Sequence, residues 1–225
     1  QKAKSRLIQL GELSSSIFVI GSPDLDLMNS KQIPTLSEVK SYYNIEFDKY
    51  SVAMFHPVTT EYKNIKKDIK NFVDALIESD KNYILIYPNN DLGSIEILKE
   101  YRRLKDNRKV CIFPSLRFEY FLKLLKNSQF MIGNSSAGIR EAPYYQISSV
   151  NIGTRQNNRV ALESVINCQY DRKSILKAII KAENLKVVVN TQEFGQGDSN
   201  KLFLDLLNQD SFWKIDCQKQ FQEME

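Results

Sequence analysis

Apolar residues gather in short blocks along the chain, at positions 17–20, 52–55, 83–87, 110–113, 130–132 and 149–152. Each block is apolar through most of its length rather than alternating, the pattern of strands buried on both faces. Between the blocks the apolar positions change to a helical period. In the segment 61–79, Ile65, Ile69, Phe72, Val73, Leu76 and Ile77 fall at i, i+4, i+7, i+8, i+11 and i+12, one stripe along a helix. Thr59 and Thr60 stand ahead of it with side chains suited to an N-cap. Further helices are predicted at 37–43, 94–104, 118–127, 137–143, 173–182 and 199–208.

Strands alternating with helices predict an α/β fold, a doubly wound, Rossmann-like parallel sheet covered on both faces. In such sheets ligands bind beyond the carboxyl ends of the strands. His56-Pro57, Pro88-Asn89-Asn90-Asp91, Pro114-Ser115, Gly133-Asn134-Ser135-Ser136 and Gly153-Thr154-Arg155 each follow a predicted strand. Five successive exits thus place polar or ring-constrained residues along one edge.

Length and charge narrow the field. A chain of 225 residues fits one large α/β domain with additional terminal elements. The expected division is a helix end at 1–14 joining from a missing N-terminal domain, a Rossmann-like domain at 15–208, and a polar tail at 209–225 reaching toward that missing part. The chain begins with Gln1 rather than Met, so it reads as a piece of a longer protein. A net charge of +4, with lysines interleaved among acids, describes solvated helix faces and gives no nucleic-acid footprint. No apolar run approaches the roughly 18–20 residues that span a bilayer, and no signal segment opens the chain, so a cytoplasmic protein is expected. Cys111, Cys168 and Cys217 are widely spaced and His56 is the only histidine, which argues against a zinc site. Cys111 is expected as a small core residue.

Gly133-Asn134-Ser135-Ser136-Ala137-Gly138 has the composition of an anion-binding turn leading into a helix. Glycine permits close backbone approach, serine donates, and helix N-terminal N–H groups favour phosphate. Composition alone reads equally well as an ordinary capped turn. Arg140 and Glu141 follow on the first turns of that helix, where a carboxylate can accept from a ribose diol or simply form a surface ion pair. His56 can donate to a phosphate or assist a leaving group, Arg155 offers a fork of donors to a diphosphate, and Asn89 can bond a base or a phosphate. Gly195-Gln196-Gly197-Asp198-Ser199 reads either as a second anion-binding turn or as a plain loop.

Four segments together carry a more specific signal: His56-Pro57-Val58-Thr59-Thr60-Glu61, Pro88-Asn89-Asn90-Asp91, Gly133-Asn134-Ser135-Ser136-Ala137-Gly138-Ile139-Arg140-Glu141 and Asn151-Ile152-Gly153-Thr154-Arg155-Gln156. In order and spacing they resemble the hydrolysing UDP-N-acetylglucosamine 2-epimerases of sialic-acid biosynthesis, from about residue 5 to 208. Non-hydrolysing members carry a His-Arg-Arg motif at the first of these segments and Gly-Gly-x-Gln-Glu-Glu at the third. The resemblance implies the C-terminal, UDP-binding half of a glycosyltransferase-B type fold, with the active site between two Rossmann-like domains. It implies that His56, Asn89, Leu116, Ser135, Ser136, Glu141 and Arg155 contact UDP. Ser135 and Ser136 would serve the diphosphate, Glu141 the ribose and Leu116 the uracil. The implied substrate is UDP-N-acetylglucosamine or a related UDP-amino sugar. The implied reaction eliminates UDP and then hydrates the glycal to N-acetylmannosamine, with no cofactor and no metal. The proton-moving acids would lie on the chain's own N-terminal domain, so this piece alone is expected to bind UDP without turnover. Homo-oligomer formation stays open. The competing readings are a UDP-sugar glycosyltransferase domain and a non-catalytic binding module.

Overall fold

The structure is a computed structural model that describes residues 2–30, 33–159, 161–187, 194–216 and 218. Its contacts divide the chain into two compact units, one of residues 32–191 and one of residues 1–31 with 192–225. The expected division at 14 and 208 does not coincide with this one: 15–31 and 192–208 group with the terminal segments.

The larger unit is built on six parallel strands, β1 (Ser51–Met54), β2 (Tyr83–Ile86), β3 (Val110–Phe113), β4 (Met131–Gly133), β5 (Ser149–Ile152) and β6 (Val165–Cys168). Their order across the sheet is β3-β2-β1-β4-β5-β6. The helices in chain order are α1 (Lys2–Gln9), α2 (Pro23–Met28), α3 (Leu36–Tyr43), α4 (Ile65–Glu78), α5 (Ser94–Tyr101), α6 (Phe118–Lys126), α7 (Glu141–Tyr144), α8 (Arg172–Asn184), α9 (Ser199–Leu207) and α10 (Asp210–Trp213). Successive strand residues point to opposite faces. Ala53, Leu85 and Ile132 join the core shared with Ile69, Phe72 and Val73 of α4, Ile97 of α5 and Ile175 and Ile179 of α8. Val52, Ile84 and Met131 are equally buried but lie outside that core, and α6 packs on β1, α3 and α7. The sheet is therefore wound on both faces, as the apolar blocks predicted.

Five features depart from these expectations. Residues 17–20 form no strand. Phe18 and Val19 are 38% and 44% exposed, so this apolar block lies outside any ladder among the described residues. Val165–Cys168 is a strand the apolar pattern missed, because as an edge strand it alternates and leaves Asn167 exposed. Cys111 is only half-buried because β3 is the other edge, while Cys217 lies outside the described residues. Thr59 and Thr60 do not cap α4. Residues Thr59–Asn64 wind as a 3-10 turn kinked at Glu61, and α4 starts at Ile65. Ile77 of the predicted stripe is 41% exposed.

In the terminal unit α2 packs against α9. The Asp26 carboxylate accepts from the Ser199 N–H at 3.0 Å, the Ser199 hydroxyl at 2.8 Å and the Asn200 N–H at 2.8 Å. These donors belong to the first residues of α9, and the anion they hold is the protein's own carboxylate. No helix among the described residues is long and apolar enough to cross a membrane.

Candidate functional site

The strand order reverses direction between β1 and β4, where the connections run away on either side and leave a crevice. β1 exits into His56 and β4 into Asn134, so these two residues flank the reversal. Asn134 is fully buried. Its side-chain Oδ1 accepts the His56 N–H at 2.6 Å and its Nδ2 donates to the His56 carbonyl at 2.8 Å. Its own N–H donates to the Met54 carbonyl at 3.2 Å. One amide therefore continues the ladder past the point where the strands part, satisfying both backbone groups of His56.

The other exits converge on the same pair. The Asn89 N–H, past β2, donates to His56 Nδ1 at 3.0 Å. Past β5, Arg155 donates from a guanidinium NH to the Asn134 carbonyl at 3.3 Å, and Gln156 Nε2 donates to the same oxygen at 2.7 Å. Asn89 is thus linked to His56, and His56 to Arg155 through Asn134, which the site residues proposed from sequence did not include. Gln156 and Asp91 were likewise passed over, although all three stand inside the quoted motifs.

Because His56 Nδ1 accepts from a backbone N–H, the neutral ring carries its proton on Nε2. Burial, with the nearby Arg155 charge, pushes the His56 pKa down to about 4, against the opposing Asn89 side chain and Asp91 carboxylate. At neutral pH His56 is therefore a neutral donor, suited to a phosphate oxygen. Burial also lowers the Arg155 pKa, with Arg159 adding to the effect and Asp91 opposing it, yet an arginine stays charged. Asn89 Nδ2 donates to the Asp91 carboxylate. This fixes the amide's orientation, since a carboxylate only accepts. The Asn89 Oδ1 is buried and makes no hydrogen bond among the described residues. Of the two roles open in the sequence, an acceptor suits a base N–H or a hydroxyl rather than a phosphate.

The motif after β4 differs from the expected helix over 137–143. Ser136–Gly138 is a single 3-10 turn, and a short helix restarts at Glu141. Pro143 explains the break. In the interior of one continuous helix its ring would clash with the Ile139 carbonyl and leave that group without its donor. In the first turn of α7 proline is tolerated. So short a helix has little dipole to offer, and donors here are individual groups. Ser135 caps the turn, its Oγ accepting the Ala137 N–H at 3.3 Å. Ser136 is half-buried. Glu141 opens α7 and is buried, at 8% exposed. Leu116 lies half-buried past β3, two strands from β1.

The sequence profile described as UDP-N-acetylglucosamine 2-epimerase matches residues 1–208. The UDP-N-acetylglucosamine 2-epimerase of Neisseria meningitidis serogroup B is 44% identical over 98% of this chain. This chain belongs to the UDP-N-acetylglucosamine 2-epimerase family. It spans 59% of the length of that Neisseria protein. The hydrolysing UDP-N,N'-diacetylbacillosamine 2-epimerase of Legionella pneumophila is 30% identical over 92% of the chain, which spans 55% of it. Among solved structures, the Methanocaldococcus jannaschii UDP-GlcNAc 2-epimerase in complex with UDP-GlcNAc and UDP superposes with a TM-score of 0.69. The identity is 22%, over 91% of this chain and 58% of that one. At this identity the likeness establishes the fold, one shared with epimerases of glycosyltransferase-B type.

One consequence of the His56 environment concerns stability. With a folded pKa near 4 and an ordinary one near 6.5, the unfolded chain binds more protons between those values. Stability is therefore expected to fall as pH drops from 6.5 toward 4, by about 3 kcal/mol from this group, and to flatten below. His56→Asn keeps an acceptor for the Asn89 N–H and should lose this dependence. Urea melts of both proteins at pH 7 and pH 4.5 check it.

Proposed function

We propose that this chain is the UDP-holding part of a hydrolysing UDP-N-acetylglucosamine 2-epimerase of sialic-acid or related nonulosonic-acid biosynthesis. The reaction converts UDP-N-acetylglucosamine and water to N-acetylmannosamine and UDP, by elimination and then hydration. The observation that carries the reading is the linked run of Asn89, His56, Asn134 and Arg155 at the strand-order reversal, in a chain of this family. The hydrolysing type is supported by the names of relatives at 30% and 33% identity, both hydrolysing diacetylbacillosamine epimerases, and by a 31% identical polysialic acid biosynthesis protein. The methanogen UDP-N-acetylglucosamine 2-epimerase stands further off, at 25%.

In this reading Arg155 and the His56 Nε2–H meet the diphosphate, where negative charge grows as the bond to the sugar breaks. Ser135 and Ser136 add hydroxyl donors. Glu141 accepts from the ribose hydroxyls, Asn89 Oδ1 from a base N–H or a hydroxyl, and Leu116 lines the uracil side. The groups that take and return the C2 proton belong to the protein's N-terminal domain. The 225-residue chain alone then binds UDP without consuming the sugar nucleotide. Release of UDP from UDP-N-acetylglucosamine by this chain alone would overturn that assignment. For the intact protein, product analysis decides the type. Free N-acetylmannosamine with UDP supports the proposal, and UDP-N-acetylmannosamine refutes the hydrolysing reading.

Calorimetry with UDP tests the site itself. Arg155→Ala is expected to weaken binding roughly ten- to hundred-fold, since one charge-assisted hydrogen bond contributes about 1.5–3 kcal/mol. Ser136→Ala and Glu141→Ala should each cost several-fold. Unchanged affinity in all three variants would show that UDP binds elsewhere.

A further inference from the structure

The kink at Glu61 has a second effect beyond shortening α4. Turned out of the 3-10 segment after β1, the Glu61 carboxylate accepts the Thr154 hydroxyl on one oxygen, at 2.5 Å, and the Tyr170 hydroxyl on the other, at 2.8 Å. Thr154 belongs to the loop after β5 and Tyr170 to the loop after β6. The end of β6 also takes up the first loop's backbone, as the Gly153 N–H donates to the Cys168 carbonyl at 2.9 Å. The Tyr170 ring lies against Gly153 so closely that a Cβ there would come within 2.0 Å of it, and Gly153 sits at φ +72. One carboxylate therefore joins three strand exits and holds the backbone directly before Arg155.

We infer that Glu61 is a positioning residue for the diphosphate end of the site, its carboxylate holding the Gly153-Thr154 loop so that Arg155 meets the ligand already placed. The inference rests on the UDP reading given above. A guanidinium on a loosened loop still carries its charge. It must, however, give up backbone and side-chain freedom when it binds, which subtracts from affinity. The loss falls only on the part of the ligand that Arg155 touches. Uridine, which lacks the diphosphate, should not sense it.

The experiment measures UDP and uridine affinities of the intact protein by titration. Glu61→Ala is expected to weaken UDP about ten-fold while uridine stays within about two-fold. Tyr170→Phe, which keeps the ring over Gly153, and Thr154→Val each remove one donor. Each should weaken UDP about three-fold, which preserves the test if Glu61→Ala does not fold. In an Arg155→Ala background Glu61→Ala should have no further effect, because the two act through one contact. The inference fails if the Glu61, Thr154 and Tyr170 variants bind UDP normally. It also fails if they lose UDP and uridine alike, or if the Glu61 and Arg155 effects add. Should Arg155→Ala itself leave UDP binding intact, the UDP reading falls, and this inference with it. A normal Glu61→Ala beside a weakened Arg155→Ala removes the positioning role only.

Discussion

Gly133→Ala is expected to abolish folding or to cost more than about 4 kcal/mol, a large share of the roughly 5–15 kcal/mol that holds a domain together. Gly133 ends β4 and pairs with Met54 of β1 on one side and Asn151 of β5 on the other. It sits at φ +137, a conformation that side chains rarely adopt, and a Cβ built on it would lie 1.9 Å from the Met54 carbonyl oxygen. That oxygen is backbone of a central strand and cannot swing away. It also accepts the Asn134 N–H, so relief of the clash must part β1 from β4 at the point where His56 and Asn134 join. Gly138→Ala is the control. A Cβ there meets only the Ser149 side chain at 3.5 Å, an ordinary contact, and should stay within about 1 kcal/mol of the wild type. Thermal and urea unfolding of the two variants give the comparison. Near-native stability of Gly133→Ala would mean that the strands do not meet as described.

The sheet was legible because its strands are apolar on both faces, a property of sequence alone. Val52, Ala53, Ile84, Leu85, Met131 and Ile132 are at most 1% exposed, and their order along the chain shows before any pairing is known. What failed had one neighbour or none. β6 is bound along one side only and could keep Asn167 in solvent, so it never formed an apolar block. Residues 17–20 carry the right composition but find no ladder among the described residues. Helix boundaries failed where long-range bonds competed with local propensity. Thr59 and Thr60 are sound caps by type, yet the chain there winds into a 3-10 turn whose kink hands Glu61 to Thr154 and Tyr170, both distant in sequence.

For the candidate site, the sequence brought out residues that the structure gathers at one sheet edge, but not how they are organised. The strand-exit rule brought out His56, Asn89 and Arg155 because they are chemically conspicuous. Asn134 is not conspicuous. It is one of several polar residues in a turn, and its role as the joint between two strand ends depends on the crossover order. The alternation of strands and helices leaves that order open. Gln156 is similar: its Nε2 bond to the Asn134 carbonyl follows from the path of the chain after β5. A polar residue next to the strand-order reversal is thus a candidate for holding the crevice open even when a neighbouring residue is the better candidate for touching a ligand.

Asn134→Ala tests that distinction. The alanine leaves the His56 N–H and carbonyl without their partners in a buried setting. Each such loss costs about 1–3 kcal/mol, so a destabilisation of about 3 kcal/mol is expected. UDP binding should fall with it, because His56 loses its fixed place and the turn that receives Arg155 keeps only its backbone bond to Met54. Asn134→Asp sharpens the case. One carboxylate oxygen can still accept the His56 N–H, but the other faces the His56 carbonyl, and two acceptors repel unless the carboxyl takes a proton and donates it. The folded-state pKa of this aspartate is then raised. A raised acid binds extra protons in the folded state, so its stability is present at low pH and lost as pH rises. Relative to wild type, Asn134→Asp should be closest in stability near pH 4–5 and furthest near pH 7, the opposite of the trend set by His56. Urea melts across that range read it directly. An Asn134→Asp protein as stable as the wild type at pH 7 would show that the amide is not the joint between the two strands.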